Sequence, residues 1–415
     1  MRILLVGGGG REHALGWKLA RSPRVREVLS LPGNPGLARV GPTVEGIDPA
    51  TVGAVTAAAT ALKIDLVVVG PEQPLAAGLV DALVAQRIPV WGPTRAATML
   101  ESSKSFAKGV MDRAGVPTAR WASFVDEQTA LGYLRSLPGP LVVKADGLAA
   151  GKGVLVTEDP GQAEAWVRRC FAGGFGSAGN TVVIEDYLEG PEVSVFAVCA
   201  GESVKSLAPA RDYKRLLAAD QGPNTGGMGS YSPVPDLPAG LNDETVDRVI
   251  VPILRTLASE GRPYRGFLYV GLVITPSGPQ VLEFNCRLGD PEAQVILPRL
   301  ESDLVDLIEA GLAGDLSPAQ VAWSTDAAVN VVLAADGYPE APRSGDPITI
   351  GNLDPSVLLF HAGTRQEGKN LLSSGGRVLN VVGLGQDLAE ARATAYEAVG
   401  HINFDGMQYR RDIAL

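Results

Sequence analysis

A multidomain protein, α/β at the N-terminus and α+β beyond it, is predicted by three observations. The chain has 415 residues, too many for one ordinary domain. Residues 1–102 alternate short apolar runs with helical stretches, which is the pattern of a parallel sheet covered by helices. From residue 119 the pattern changes to short strands with few helices between them, and the chain closes on a small α+β unit from residue 322.

The elements follow in order. The run "RILLV" (2–6) predicts a first strand, and "REHALGWKLARS" a helix with Ala14, Leu15, Leu19 and Ala20 on one face. The segments "REVLSL" (26–31), "IDLVVVG" (64–70) and "IPVWG" (88–92) predict three further buried strands, with one helix over 74–87. A linking helix spans 103–114, stopped by Gly115 with Pro117 beyond it. In 119–188 the strands are "PLVVKA", "GVLVTE" and "NTVVIEDYL", with a single helix at 161–171. Strands at 193–199 and 204–210 lead into a polar, glycine-rich loop (211–230) and then a helix at 243–260. A hairpin joins 267–274 to 280–286 across "PSGP", and a helix covers 301–312. Near the end, Asp387 and Glu390 form a capping pair for a helix at 388–399.

Composition narrows the function. Hydrophobic content of 46% with 20% charged residues is that of a globular protein. A net charge of −10 argues against a nucleic-acid or membrane-surface partner, so any phosphate site must be local. Three cysteines without a CxxC exclude a disulfide framework and a thiolate zinc site, and fit a reducing cytoplasm. The apolar run Ile3–Val6 is too short for a signal peptide, and no run reaches the ~20 residues of a membrane span.

Two glycine-rich stretches nearly match phosphate-binding patterns. "GGGGREHA" follows the first strand as a dinucleotide fingerprint would, but Glu12 takes the place of the third glycine, and "LPGN" stands where an acidic residue should close the second strand. What remains is either a tight turn or a phosphate or ribose site at a helix N-terminus, with Arg11 beside it. "KADGLAAGKG" (144–153) resembles a P-loop, yet it lacks the first glycine and the closing Ser/Thr, and a strand follows it instead of a helix. It therefore reads as the tip of a hairpin, a glycine flap whose backbone can come close to a triphosphate, with Lys144 and Lys152 supplying charge. The alternative is a plain mobile hairpin with solvated lysines.

"VLEFNCRLGDPE" (281–292) carries more. Side chains two apart share a face of a strand, so Leu282 and Phe284 are expected in the core while Glu283 and Asn285 point together to the other side. Two hard oxygen donors aimed at one point suit Mg²⁺, which keeps waters and takes phosphate oxygens as further ligands. Arg287 continues that face towards a transferring phosphoryl group. "RDYKR" and "GPNTGGMG" supply Asp212, Lys214, Asn224 and Thr225 in a polar loop, which is otherwise a bare surface loop. His13, His361 and His401 are scattered, and G-x-S-x-G and H-E-x-x-H are absent.

In this order the segments "GGGGREHA", "PGNPG", "VGPEQPL", "GPTRAATMLESSK", "VVKADGLAAGKGV", "DYKR", "GPNTGGMG", "GFLYVGL", "EFNCRLGDPE" and "HAGT" resemble the phosphoribosylamine–glycine ligases, ATP-grasp enzymes of purine biosynthesis. The resemblance covers essentially the whole chain. It implies an N-terminal α/β substrate domain (1–102), a linking helix (103–118), an ATP-grasp lid (119–190), a central ATP-grasp domain (191–321) and a C-terminal domain (322–415) that helps close the nucleotide cleft. It further implies ATP as co-substrate with Mg²⁺ or Mn²⁺, held by Glu283 and Asn285. The ATP contacts would be Lys104, Lys144, Gly147, Gly151, Lys152, Gly153, Glu185, Leu188 and Glu192. The phosphoribosylamine side would be Gly9, Gly10, Arg11, Glu12, Asn34, Pro71 and Glu72. Asp212, Lys214, Asn224, Thr225, Arg287, Gly289 and Asp290 would line the meeting point with glycine, with Arg287, Lys214 and Asp212 catalytic. The implied protein is a cytoplasmic monomer or weak homodimer acting on small molecules, without nucleic-acid or membrane partners. The chain departs from the resemblance at Gly8, where a polar residue is usual, and in the weakly charged "LLAADQ" (216–221). Rival readings are an ATP-grasp ligase with other substrates, a dinucleotide oxidoreductase and a non-catalytic nucleotide sensor.

Overall fold

The protein was analysed as a computed structural model that describes residues 1–149 and 152–415. Strands Arg2–Gly7, Glu27–Pro32, Leu66–Val69 and Val90–Trp91 form a four-stranded parallel sheet, with the first strand between the second and third. Ile3, Leu4, Leu5 and Val6 are wholly buried, because helices cover both faces of the sheet. The helix predicted over 74–87 is two helices, Glu72–Ala77 and Leu79–Ala85, broken at Gly78, whose φ is 91°. Only a residue tolerant of the left-handed region can turn the chain there.

The linking helix runs Lys104–Ala114; Ser103 caps it by accepting a hydrogen bond from the Phe106 N–H, and Gly115 ends it in the left-handed region. Beyond it stands an antiparallel sheet in the order Trp121–Phe124, Val182–Asp186, Leu141–Ala145, Val154–Thr157. The expected hairpin flanking the glycine flap is present as the last two of these strands. Two helices cover this sheet, not one: Pro160–Arg169 and a missed one at Glu127–Leu134.

The largest sheet has eight strands, in the order Gly278–Asn285, Arg265–Thr275, Glu192–Ala200, Ser203–Asp212, Gly229–Ser232, Ala327–Ala334, Arg377–Gly385, Leu358–His361. The segment 211–230 is thus not a bare loop. It contains the small hairpin Arg215–Leu217/Gln221–Asn224 and a buried strand, Gly229–Ser232, that bridges the central and C-terminal parts. Another missed helix, Ala293–Arg299, packs with Leu304–Ala313 between the N-terminal sheet and the large one. The C-terminal helix Leu388–Val399 is capped as expected, the Asp387 carboxylate accepting from the Glu390 N–H at 2.9 Å.

Among the described residues no helix is long and apolar enough to cross a membrane.

Candidate active site

The four glycine-bearing turns of the N-terminal sheet lie at the carboxyl ends of its strands, where open α/β sheets bind ligands. Glu12 explains the failed dinucleotide pattern. Its carboxylate is 2% exposed, accepts the Gly9 N–H at 2.7 Å and pairs with Arg11 at 2.6 Å. A Cβ on Gly7 would lie 2.4 Å from Glu12 Cγ, and one on Gly70 2.3 Å from Glu12 Oε1, so this side chain fills the glycine cradle itself. Arg11 also donates to the Leu288 carbonyl at 3.3 Å. Gly10 packs closely under Asn380 and Gln294. Asn34 is committed to the backbone: its amide donates to the carbonyls of Gly8 and His361, at 2.9 and 2.8 Å, and its oxygen accepts from the Gly36 and Leu37 N–H groups. Pro71 sits at the N-cap of the helix that begins with Glu72.

Glu72 meets Arg287, which is the hub of the site. The guanidinium lies 3.2 Å from Glu72, 2.8 Å from Glu101 and 3.3 Å from Asn285 Oδ1. Burial opposes the charge on Arg287, but the surrounding carboxylates Glu101, Glu72, Glu292 and Glu283 raise its pKa further. Burial pushes Glu101 up to about 7 against the pull of Arg287, and its carboxylate also accepts the Cys286 N–H at 2.6 Å.

The strand Gly278–Asn285 corrects one face assignment. A bulge lies between Val281 and Glu283, where the pairing shifts from Leu272↔Val281 to Gly271↔Glu283. Val281, not Leu282, therefore enters the core with Phe284, and Leu282 is half-buried. Past the bulge the two-residue alternation resumes, and Glu283 and Asn285 share a face. Burial works to raise the Glu283 carboxyl, but Lys214, Lys144, Lys104 and Arg287 outweigh it and hold it below the usual range.

Lys144 Nζ is 2.8 Å from Glu185 Oε1 and donates to the Leu282 carbonyl at 3.4 Å. Lys108, missed from the sequence, lies 2.8 Å from the other oxygen of Glu185. Lys104 donates from Nζ to the Gly147 carbonyl at 3.0 Å. Asp146, at the P-loop's missing glycine, accepts from the Ser105 N–H at 2.5 Å and from Ser103 Oγ at 3.0 Å. It thereby occupies the N-terminus of the linking helix as an anion would. Gly147 approaches Ala178 so closely that a Cβ would lie 2.8 Å from the alanine methyl. Lys152 is exposed and Gly153 buried, while Gly151 lies outside the described residues. Leu188 is half-buried in the segment joining the lid sheet to the large sheet.

Lys214 pairs with Glu192 at 2.5 Å, so Glu192 faces the polar loop. Burial opposes the Lys214 charge, yet Glu192, Tyr269, Asp212 and Glu283 hold its pKa well above the ordinary value. Asp212 is shifted up by burial and by Glu192 and Glu283. Glu292, also missed, is pushed up to about 8 by burial and Asp212, and accepts from Ser194 Oγ at 3.1 Å. Thr225 braces the loop, its N–H and Oγ both donating to the Lys214 carbonyl, at 2.7 and 2.8 Å; Asn224 lies beside it, paired with Arg215. A Cβ on Gly289 would meet Glu292 Oε2 at 2.3 Å. Asp290 accepts from Gln294 at 2.8 Å and lies 3.3 Å from Arg377, whose guanidinium donates to the Gly226 carbonyl at 2.5 Å and the Asp290 carbonyl at 2.7 Å. The C-terminal part therefore reaches the 226–290 loops through Arg377, whereas the nucleotide cleft was the place expected for it.

Lys108 had a readable signal, being four residues after Lys104 on one helical face. Glu101, Glu292 and Arg377 had none, since each acquires its partners from distant parts of the chain.

The donor set fits a hard divalent cation. Among the described residues no group of three or more His, Cys, Asp or Glu side chains is placed to hold a metal alone. One carboxylate with one amide suits an ion that completes its shell with water and phosphate oxygens.

Comparison with known proteins identifies the family. Three domain families match in succession: phosphoribosylglycinamide synthetase N domain over residues 1–101, ATP-grasp (A) domain over 102–293 and C domain over 328–415. The chain is 46% identical over 414 residues to a phosphoribosylamine–glycine ligase of Rhizobium meliloti, covering 100% of this chain and 98% of the relative. It is 47% identical to the same-named protein of Caulobacter vibrioides, covering 100% and 97%. Among solved structures, the phosphoribosylamine–glycine ligase of Thermotoga maritima superposes with a TM-score of 0.85 at 35% identity, covering 99% of this chain and 100% of that one. A biotin carboxylase of Campylobacter jejuni shares the fold, at a TM-score of 0.73 and 17% identity over 98% of this chain and 92% of that one.

Proposed function

The chain belongs to the phosphoribosylglycinamide synthetase family, and from that premise we propose that it joins glycine to 5-phosphoribosylamine at the expense of ATP, giving glycinamide ribonucleotide, ADP and phosphate in purine biosynthesis. The observation that carries the reading is the convergence of the candidate groups on Arg287. This residue touches Glu72 of the N-terminal domain and Asn285 of the central sheet, and it follows the Glu283–Asn285 face directly.

A carboxylate carbon is a poor electrophile, so the acid must be activated. The γ-phosphoryl group passes from ATP to a glycine oxygen, breaking its bond to ADP and forming an acyl phosphate. The amine nitrogen then bonds to the acyl carbon, loses a proton and expels phosphate. No protein nucleophile is needed, only positioning and charge neutralisation. In this proposal Glu283 and Asn285 hold Mg²⁺ or Mn²⁺, which would neutralise phosphate charge. Lys104, Lys144, Gly147, Lys152, Gly153, Glu185, Leu188 and Glu192 line the ATP site; Gly151, outside the described residues, is assigned to it from the sequence alone. Gly9–Glu12, Asn34, Pro71 and Glu72 face the ribosyl amine, with Asn34 acting through the backbone it fixes. Asp212, Lys214, Asn224, Thr225, Arg287, Gly289 and Asp290 surround the acyl group. The flap hairpin keeps water from the acyl phosphate. A cytoplasmic monomer or weak homodimer is part of the same reading; the three free, buried cysteines support the reducing compartment alone.

Glycine labelled with ¹⁸O in its carboxylate tests the chemistry. One labelled oxygen per turnover is expected in the released phosphate; unlabelled phosphate would rule out the acyl phosphate.

A further inference from the structure

Lys108 is a buried cation with no part in the chemistry above. It projects from the helix Lys104–Ala114, and its side chain is 2% exposed. Its ammonium is 2.8 Å from Glu185 Oε2 and donates to Thr118 Oγ1 at 2.7 Å. Thr118 passes the chain on, donating to the Val281 carbonyl at 2.6 Å, beside the bulge that presents Glu283. The other Glu185 oxygen is 2.8 Å from Lys144 Nζ, which closes the ring by donating to the Leu282 carbonyl.

We propose that Lys108 is a positioning residue for nucleotide binding: it neutralises Glu185, so that the Lys144 ammonium keeps a net positive charge to offer to a phosphate. Two ammonium groups share one carboxylate, and the ring carries one surplus positive charge. With Lys108 removed, Glu185 and Lys144 cancel, and Lys144 is held on the carboxylate instead of being offered to the cleft. The buried setting makes the effect large, because charges there are weakly screened. The same ring ties the lid strand Leu141–Ala145 and the linking helix to the metal-bearing strand, so it also sets where Lys144 stands relative to Glu283.

The proposal rests on the ATP-using function above, and its test separates the two. Lys108→Met, Glu185→Gln and the double variant are compared with the wild type by steady-state kinetics in each substrate, by titration with a non-hydrolysable ATP analogue, and by thermal unfolding. Lys108→Met should raise the KM for ATP and the analogue Kd by about tenfold or more, the size of one lost charge-assisted contact, while the KM for glycine stays within about twofold. Glu185→Gln loses its own share of the ATP site, so the double variant is read against it: once Glu185 is neutral, removing Lys108 should cost less than about twofold more, a non-additivity that damage to the fold would not produce. An unchanged ATP KM in Lys108→Met, a parallel rise in both KM values, or a further tenfold loss when Lys108→Met is added to Glu185→Gln would overturn the proposal. Should Lys108→Met not fold, the double variant against Glu185→Gln decides alone: equal analogue binding supports the role, and a further tenfold loss refutes it. A wild type that binds the analogue without turnover would count against the functional assignment and leave the titration readout for Lys108 intact.

Discussion

Glu72 and Glu101 hold the Arg287 guanidinium at 3.2 and 2.8 Å, and in the proposed site they would aim it at a phosphoryl oxygen. Glu283 faces the opposite situation, a half-buried carboxylate in a field of four cations, which keeps it ionised, as the proposed metal role requires. Glu283→Gln keeps the shape and removes that charge. Turnover is expected to fall by about 100-fold or more, while the circular dichroism spectrum stays that of the wild type. Full activity in this variant would refute the metal role. At this scale Glu283 and Asn285 were legible because a strand's period of two is a local rule. Glu101 was not, because its two partners, Cys286 and Arg287, lie some 185 residues away in the chain and only the fold brings them together.

At the scale of elements, sheets and helix caps were readable where periodicity or cap chemistry was strong, and unreadable where it was interrupted. The helix Glu127–Leu134 has barely two turns and carries Gly132, while Ala293–Arg299 contains Pro298, which removes a backbone donor. The bulge at Leu282 was invisible for another reason: nothing in "VLEFN" marks the extra residue, and its effect is to exchange Val281 for Leu282 in the core. This exchange is testable. Val281→Ala should cost about 2 kcal/mol in denaturant unfolding, and Leu282→Ala distinctly less despite the larger side chain removed. The reverse order would contradict the bulge. The flap hairpin itself was legible because strand-forming residues flank "KADGLAAGKG" on both sides, and a P-loop would require a helix after it.

The whole molecule differs from the sequence reading mainly in how its parts join. The C-terminal unit looked separate, yet Gly229–Ser232 pairs with Ala327–Ala334 and makes one eight-stranded sheet of the two. Buried contacts fasten the N-terminal domain to the C-terminal part as well, Asn34 to the His361 carbonyl and the His361 N–H to His13. Such long-range pairing leaves no periodic trace in a single sequence. The proposed site accordingly draws on every part of the chain: Arg11 and Glu72 from the N-terminal domain, Lys144 from the lid, Glu283 and Arg287 from the central sheet, and Arg377 from the C-terminal strand. The central claim is that this assembly couples ATP cleavage to amide formation between two particular partners. Its most direct measurement is ADP and phosphate release by the purified protein with ATP, a divalent cation, glycine and phosphoribosylamine. Release is expected to require both glycine and the amine and to match glycinamide ribonucleotide formation one for one; release indifferent to glycine, or none with all components present, would refute the coupling.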